Sequence, residues 1–196
     1  MNVPLDTPIA LVRHGETDWN RAARIQGRTE IPLNDTGKAQ AAATAALLAA
    51  AGTWRGVRAS PLGRAIQTAQ ILAAGLELAQ PTIDEGLWER NFGEAEGLEV
   101  AHAQNRWPGL DGIPGSESVA EVAERSAAAI TRVLDTAPGS IVVAHGAMLR
   151  NGLINLTGEA VPRILNGEVW LLFRTKSGMR TELITDPAAA QKLLQR

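Results

Sequence analysis

The 196-residue chain contains no cysteine and no tyrosine, and only two phenylalanines. Without cysteine it can form no disulfide and offer no thiolate to a metal or a substrate. That fits a cytoplasmic setting. A basic excess is missing too: 19 Lys and Arg face 21 Asp and Glu, a formal net charge of −2. A nucleic-acid-binding domain ordinarily shows a clear surplus of cations, so no nucleic-acid partner is expected, and any anion site must be a local cluster of arginines. Long apolar runs are absent. The longest, residues 39–51, is mostly alanine and is broken by Gln40 and Thr44, too short and too weakly apolar to span a bilayer. No basic segment followed by an apolar one opens the chain, so neither a secretory signal nor a membrane partner is expected. Three catalytic patterns are also missing. Without Gly-x-x-x-x-Gly-Lys-Ser/Thr there is no support for a nucleotide P-loop. Without Gly-x-Ser-x-Gly or His-Glu-x-x-His there is none for a hydrolase triad or a zinc helix.

What remains is an ordinary globular composition, 45% apolar and 20% charged. The length suits one domain over 1–196, and there is no repeat or linker to divide it. Only three histidines occur, and two share a setting. Ile9-Ala10-Leu11-Val12 is a short apolar run that stops at Arg13-His14-Gly15. Ile141-Val142-Val143-Ala144 is another, and it stops at His145-Gly146. Both runs read as buried strands. In open α/β sheets ligands bind beyond the carboxyl ends of strands. A lone histidine at such an end is ordinarily a hydrogen-bonded core residue, but two in matching context point to a site. The third, His102, stands outside any pattern and reads as surface.

The rest of the chain alternates strands with helices. Residues 1–8 read as a lead-in, and 15–35 as a loop with at most a short helix. Its Arg21, Arg24 and Arg28 are expected to be solvated. Asp35 or Thr36 can cap a helix to about Ala51, with Ala39, Ala43, Ala46, Leu47 and Ala50 marking its inner face. Residues 57–59 form a second strand. Ser60 and Pro61 suit the cap and first position of the next helix, which would bury Leu62, Ile66, Ala69 and Ala73. Arg64 then falls in that helix's first turn, where a cation opposes the macrodipole unless an anion is shared with it. Residues 82–84 suggest a third strand, and 87–97 a carboxylate-rich loop. Ser118 to Glu121 is a capping box for a helix with Val119, Val122, Ala123, Ile130, Val133 and Leu134 inward. A helix from Met148 to about Leu156 follows, then a hairpin over 168–184 and a frayed helix from Asp186. The sum is a three-layer α/β fold with a mostly parallel central sheet and helices on both faces.

These residues suit phosphoryl transfer. Arg13 and Arg64 can fork onto phosphate oxygens. A neutral imidazole is a covalent nucleophile, a second, protonated histidine can stabilise developing charge, and a carboxylic acid can protonate the leaving oxygen and then activate water. A metal is disfavoured beside two arginines.

The segment Leu-Val-Arg-His-Gly-Glu-Thr-Asp-Trp-Asn at 11–20 resembles the signature of the histidine phosphatase superfamily, in the branch similar to cofactor-dependent phosphoglycerate mutases. The resemblance continues through 60–69, 87–97, 114–118 and 143–146, in the family's order. It implies a phosphoglycerate mutase-like fold and a transient phosphohistidine on His14. It implies a phosphate pocket of Arg13, Arg64 and His145 with Asn20 beside them, Gly15 and Gly146 offering backbone N–H groups, Glu89 as proton donor, and Gln26 and Gly27 near the substrate. It implies neither metal nor cofactor, a small phosphorylated substrate, and leaves a homodimer open, since many relatives are dimers. Mutases of this branch usually carry a longer segment before the Gly-Glu-Ser block, with cations for the substrate carboxylate. Here 97–114 is short, with Arg106 its only cation, and Phe92 stands where mutases often place a tyrosine. These departures favour a metal-independent phosphomonoesterase. The alternatives are a phosphoglycerate mutase and a non-catalytic phosphoester-binding module. Sugar phosphates, phosphoglycerates, ribazole phosphate and nucleotides all fit as substrates.

Overall fold

A computed structural model describes residues 7–194. Of the expected lead-in, residues 1–6 lie outside the described part, as do 195–196 of the tail. Six strands, β1 (Ile9–Arg13), β2 (Gly56–Ala59), β3 (Thr82–Ile83), β4 (Ser140–Ala144), β5 (Val169–Thr175) and β6 (Gly178–Ile184), form one sheet in the order β3-β2-β4-β1-β5-β6. The first four are parallel; β5 runs antiparallel to β1 and closes a hairpin with β6. Helices α1 (Asp18–Arg21), α2 (Asp35–Ala51), α3 (Gly63–Gly75), α4 (Val100–Arg106), α5 (Val119–Thr136), α6 (Gly146–Thr157) and α7 (Pro187–Leu194) complete the described chain.

Side chains alternate across a strand, and the two faces of β1 fill two separate cores. Ala10 and Val12 pack with α2, α3 and α7; Ile9 and Leu11 pack with α5 and α6. Both faces are covered, which is why β1 and β4 read as unbroken apolar runs. A smaller cluster of Ile25, Phe92, Ala95, Ala103 and Ile113 sits under the loops.

Register then brings the site together. Arg13 pairs with Ala144 and Ala59 with Val143. The residues just past these pairs, His14, His145 and Ser60, therefore emerge side by side at the carboxyl edge of three adjacent strands. His14 N donates to the Ala144 carbonyl at 3.0 Å and Ser60 N to the Val143 carbonyl at 3.0 Å.

Several local expectations need correction. Helix α2 is capped by Asn34, whose side chain accepts from Gly37 N, and it buries Gly37, Ala41, Thr44, Ala45, Leu48 and Ala51. The face expected to be inward, Ala39, Ala43, Ala46 and Ala50, is exposed, and Leu47 is half-buried. A helix that is alanine nearly all round has no apolar stripe to read. Its orientation is chosen by Gly37, which meets the backbone of Glu16, and by Thr44, which donates to the Gly167 carbonyl. Helix α3 starts at Gly63 with Leu62 as its cap and no side-chain cap. Ser60 lies two residues before the cap; its hydroxyl accepts from Leu62 N at 3.4 Å and meets His145 Nε2 across the sheet. Ile66 is only half-buried; the inner face is Leu62, Ala65, Ala69, Leu72 and Ala73. In α5 the capping box forms as expected, while Val119 and Ala123 are half-buried. The last helix is docked: Ala190 is buried and Gln191 Nε2 donates to the Ala50 carbonyl at 2.6 Å.

Candidate active site

His14 follows directly on β1 and is 2% exposed. Its Nδ1 lies 2.7 Å from the Gly15 carbonyl oxygen. A carbonyl can only accept, so Nδ1 carries the proton and Nε2 keeps its lone pair. Burial, then Arg64, then Arg13 hold this imidazole well below its usual pKa near 6.5. The ring is therefore neutral around pH 7, the protonation state a nucleophile needs. Arg64 Nε donates to Nε2 at 3.2 Å, while its Nη1 and Nη2 are fixed on the Thr29 and Gly27 carbonyls at 2.9 and 2.7 Å. Arg64 is fully buried. An arriving phosphate thus meets a guanidinium already locked beside the attacking nitrogen.

Arg13 completes the floor. Nη1 donates to the Ile164 carbonyl at 2.7 Å, and Nε is buried without a partner among the described residues. Burial lowers its pKa to about 10, Glu89 opposing and Arg163 and Arg64 adding to the shift, so it stays cationic. A Cβ on Gly146 would come within 3.3 Å of Arg13 Nε. Gly146 is thus needed for close approach, and it opens α6, where the first N–H groups have no intrahelical partner.

His145 is fully buried, its ring centroid 5.1 Å from that of His14. Nε2 is 2.7 Å from Ser60 Oγ. Nδ1 is buried and unpartnered among the described residues. Burial, Arg64, His14 and Arg13 push its pKa well below the usual value. The second histidine, expected from the sequence to be protonated, is therefore neutral, because burial first, and then two arginines and a neighbouring imidazole, disfavour another cation.

Glu89 sits at the positive end of α6. Its carboxylate accepts from Met148 N and Arg90 N, both at 2.8 Å, and from Ala147 N at 3.2 Å. Its backbone carbonyl is held by Arg28 Nε at 3.2 Å and Arg125 Nη2 at 3.0 Å. Both arginines also bond the Glu117 carboxylate. Glu117 is kept below the usual carboxylate pKa: burial would raise it, but Arg125, the Asn91 N–H and Arg28 more than offset that.

Arg13, His14, Arg64 and Glu89 open into a cleft of about 500 Å³, while His145 lies buried behind them and is not part of its lining. Gly146, Asn20, Gln26 and Gly27 line the same cleft. Asn20 Oδ1 accepts from Asn166 Nδ2 at 3.0 Å, Gln26 donates to Thr17 Oγ1, and the Gly27 carbonyl anchors Arg64. Gly15 is a correction: its N–H donates to Thr68 Oγ1 at 3.1 Å instead of facing the cleft, and a Cβ there would collide with the Gly37 carbonyl. It is a packing glycine. Arg24 and Arg28 are exposed but not free, bonding the Gly97 and Glu89 carbonyls; Arg21 pairs with Asp18 on the surface, and His102 is exposed. The sequence reading missed the roles of Ser60, Glu117 and Arg125; apart from the Glu117–Arg125 pair, their contacts with His145, Asn91, Arg28 and Glu89 join residues distant in the sequence. It also missed Arg150, Asn151 and Arg163, which line the cleft from a stretch read as plain helix and loop.

Residues 9–174 match the family described as the histidine phosphatase superfamily (branch 1). A protein named uncharacterized phosphatase PhoE from Bacillus subtilis (strain 168) is 37% identical over 155 residues, 78% of each chain. A probable phosphoglycerate mutase, GpmB of Cronobacter sakazakii (strain ATCC BAA-894), is 39% identical over 154 residues, 72% of this chain and 70% of that protein. Among solved structures, a mycobacterial glucosyl-3-phosphoglycerate phosphatase in complex with VO3 superposes with a TM-score of 0.78 at 25% identity, over 91% of this chain and 98% of that one.

Proposed function

The chain belongs to the histidine phosphatase superfamily, branch 1, and its phosphatase relatives support a phosphoric monoester hydrolase; on that premise we propose that it hydrolyses a small phosphorylated metabolite, without a metal, through a phosphohistidine on His14. The observation that carries the reading is the state of His14: buried, neutral, its proton fixed on Nδ1, and its Nε2 lone pair facing Arg64.

Arg13 and Arg64 hold the phosphoryl oxygens, with the Gly146 N–H and the imidazole of His145 beside them. His14 Nε2 attacks phosphorus as the P–O bond to the leaving group breaks, and protonated Glu89 gives its proton to the departing oxygen. Water then attacks the phosphohistidine, Glu89 takes the water's proton, and orthophosphate leaves with His14 restored. The transferred charge is met by fixed donors that need no reorganisation. Two arginines beside one carboxylate suit an anion and repel a cation, so the pocket itself argues for metal independence.

The test is rapid quenching during p-nitrophenyl phosphate turnover. A phosphoryl group should appear on His14 by mass spectrometry, and His14→Ala should abolish both label and turnover. Unchanged turnover in His14→Ala would sink the reading. Vanadate should inhibit by adopting five-coordinate geometry on His14, and chelator should have no effect.

The mutase-named relative favours a second reading, return of the phosphoryl group to another hydroxyl of phosphoglycerate. Incubation with 3-phosphoglycerate and a trace of 2,3-bisphosphoglycerate separates the two. Phosphate release without 2-phosphoglycerate supports the hydrolase; rapid 2-phosphoglycerate with little free phosphate replaces it with the mutase.

A further inference from the structure

Glu89 is held at both ends, by two different helices. Its carboxylate accepts from the Ala147 and Met148 N–H groups of α6. Its backbone belongs to residues 88–91, which run outside any helix or strand between short 3₁₀ turns at Glu85–Leu87 and Gly93–Ala95. Such a segment has no ladder of its own, so its polar groups must be satisfied from elsewhere. Glu117 and Arg125 supply most of those bonds, and neither lines the cleft.

Arg125 reaches across from α5 and spans two successive carbonyls, Nη1 to Trp88 at 2.9 Å and Nη2 to Glu89 at 3.0 Å. The Glu117 carboxylate accepts from Arg125 Nε at 2.6 Å and Nη2 at 2.9 Å, and from Asn91 N at 2.8 Å. The backbone of Glu117 closes the frame. Its N–H donates to the Asn91 carbonyl at 3.0 Å, and its carbonyl accepts from Arg90 Nε at 2.8 Å. A forked pairing of guanidinium and carboxylate fixes direction as well as distance. Helices α5 and α6 are also set close together beside the frame: a Cβ on Gly152 would come within 2.9 Å of the Cβ of Ser126, the residue after Arg125. The spacing between the two anchors of Glu89 is thus built into the helix pair.

We propose that Glu117 and Arg125 are a positioning pair for the proton donor: they hold the backbone of Glu89 so that its carboxyl group meets the leaving oxygen, and they touch no substrate themselves. The proposal rests on the hydrolase reading above, with Glu89 as its acid. Two rival roles predict different behaviour. A pair that only stabilises the fold would affect every substrate alike. A pair that acts through charge would do the same, since Arg125 is among the groups that lower the His145 pKa, and lysine would replace it.

The test isolates the phosphorylation step, read as the first-turnover burst of released phenol with phospho-His14 quantified in parallel. Phenyl phosphate and p-nitrophenyl phosphate differ by one nitro group, and only the phenyl ester leaves as an oxyanion basic enough to need the proton of Glu89. In Arg125→Gln and Glu117→Gln this step should slow about 10–100-fold with phenyl phosphate, the scale of a slightly misplaced catalytic group, and far less with p-nitrophenyl phosphate. Arg125→Lys keeps the charge but not the fork, so it should show most of the same split. Placed on Glu89→Gln, neither glutamine variant should slow phenyl phosphate much further, because the group they position is gone. Equal slowing of both esters, full recovery in Arg125→Lys, or full additivity with Glu89→Gln would overturn the proposal. A surviving p-nitrophenolate burst shows that a variant is folded; if Arg125→Gln did not fold, Glu117→Gln and Arg125→Lys make the same comparison. A wild-type protein that never labels His14 would bring down the hydrolase reading and this proposal with it, whereas a labelled wild type whose variants show no split would bring down this proposal alone.

Discussion

Glu89 and Ser60 are the side chains at which the chemistry separates most clearly. Replacing Glu89 with Gln removes the transferable proton but keeps oxygen and nitrogen near Ala147, Met148 and Arg90. For an alkyl phosphoester, whose alkoxide must be protonated, kcat should fall by about 10²–10⁴-fold. For p-nitrophenyl phosphate, whose leaving group needs no proton, the phosphorylation step, read as the burst of p-nitrophenolate, should lose far less, although the later hydrolysis of phospho-His14 still slows for want of the base; equal losses in the phosphorylation step would remove Glu89 as the acid. Ser60→Ala strips His145 Nε2 of its partner. The imidazole then loses the bond that selects its tautomer, so kcat should drop about tenfold, and a buried unpaired nitrogen should cost about 1–3 kcal/mol of stability in urea unfolding. The sequence showed His14, His145, Arg13 and Arg64 because each stands where its type has no ordinary reason to be: past an apolar strand before glycine, or in a helix's positive first turn. It did not show Ser60's role, because serine before proline looks like a helix cap whatever its hydroxyl touches. Only the register of β2 against β4 aims that hydroxyl at His145.

Among the secondary-structure elements, legibility follows side-chain contrast. β1, β4 and α5 were readable because long branched residues alternate with polar ones or fill both faces of a strand. Helix α2 was not, since alanine lies on nearly every side and the buried face is set by a contact the sequence cannot display. That contact is the packing of Gly15 and Gly37 against each other's neighbouring backbone, where a Cβ on either would collide with a carbonyl oxygen. Backbone atoms cannot swing aside like a flexible side chain. Gly37→Ala should therefore destabilise by about 1–3 kcal/mol as overpacking, despite alanine's better helix propensity. It should also slow turnover by displacing His14, which precedes Gly15. Ala43→Ser, on the exposed face of the same helix, should stay within about 0.5 kcal/mol. Urea denaturation of the two variants checks both values, and a neutral Gly37→Ala would mean that α2 is free to shift away from the His14 turn.

For the molecule as a whole, the site is a reservoir of pH dependence. His14 and His145 both have folded pKa values well below their usual 6.5. As the pH falls through about 6.5 the unfolded chain takes up two protons that the folded one refuses, so stability is complete above that value and declines below it. A second loss should follow at lower pH. Burial alone would raise Asp84, but Arg132, the Gly86 N–H and Arg58 hold it below 3.8, and Glu117 is held below 4.5. Depressed carboxylates stabilise above those values and lose that contribution as the pH drops past them. The melting temperature should therefore fall in two stages, the first beginning below about pH 6.5 and the second adding to it once the depressed carboxylates are protonated, and the double variant His14→Gln/His145→Gln should lack the first stage. Inorganic phosphate supplies the discriminating condition. Its binding to the folded site raises the melting temperature by mass action. Its charge also offsets Arg13 and Arg64 beside both rings and so favours the imidazolium forms. Saturating phosphate should thus raise the curve and flatten its first stage together. A rise without flattening would mean that the anion binds away from the two histidines, and with it the assignment of this pocket to the scissile phosphate would fail.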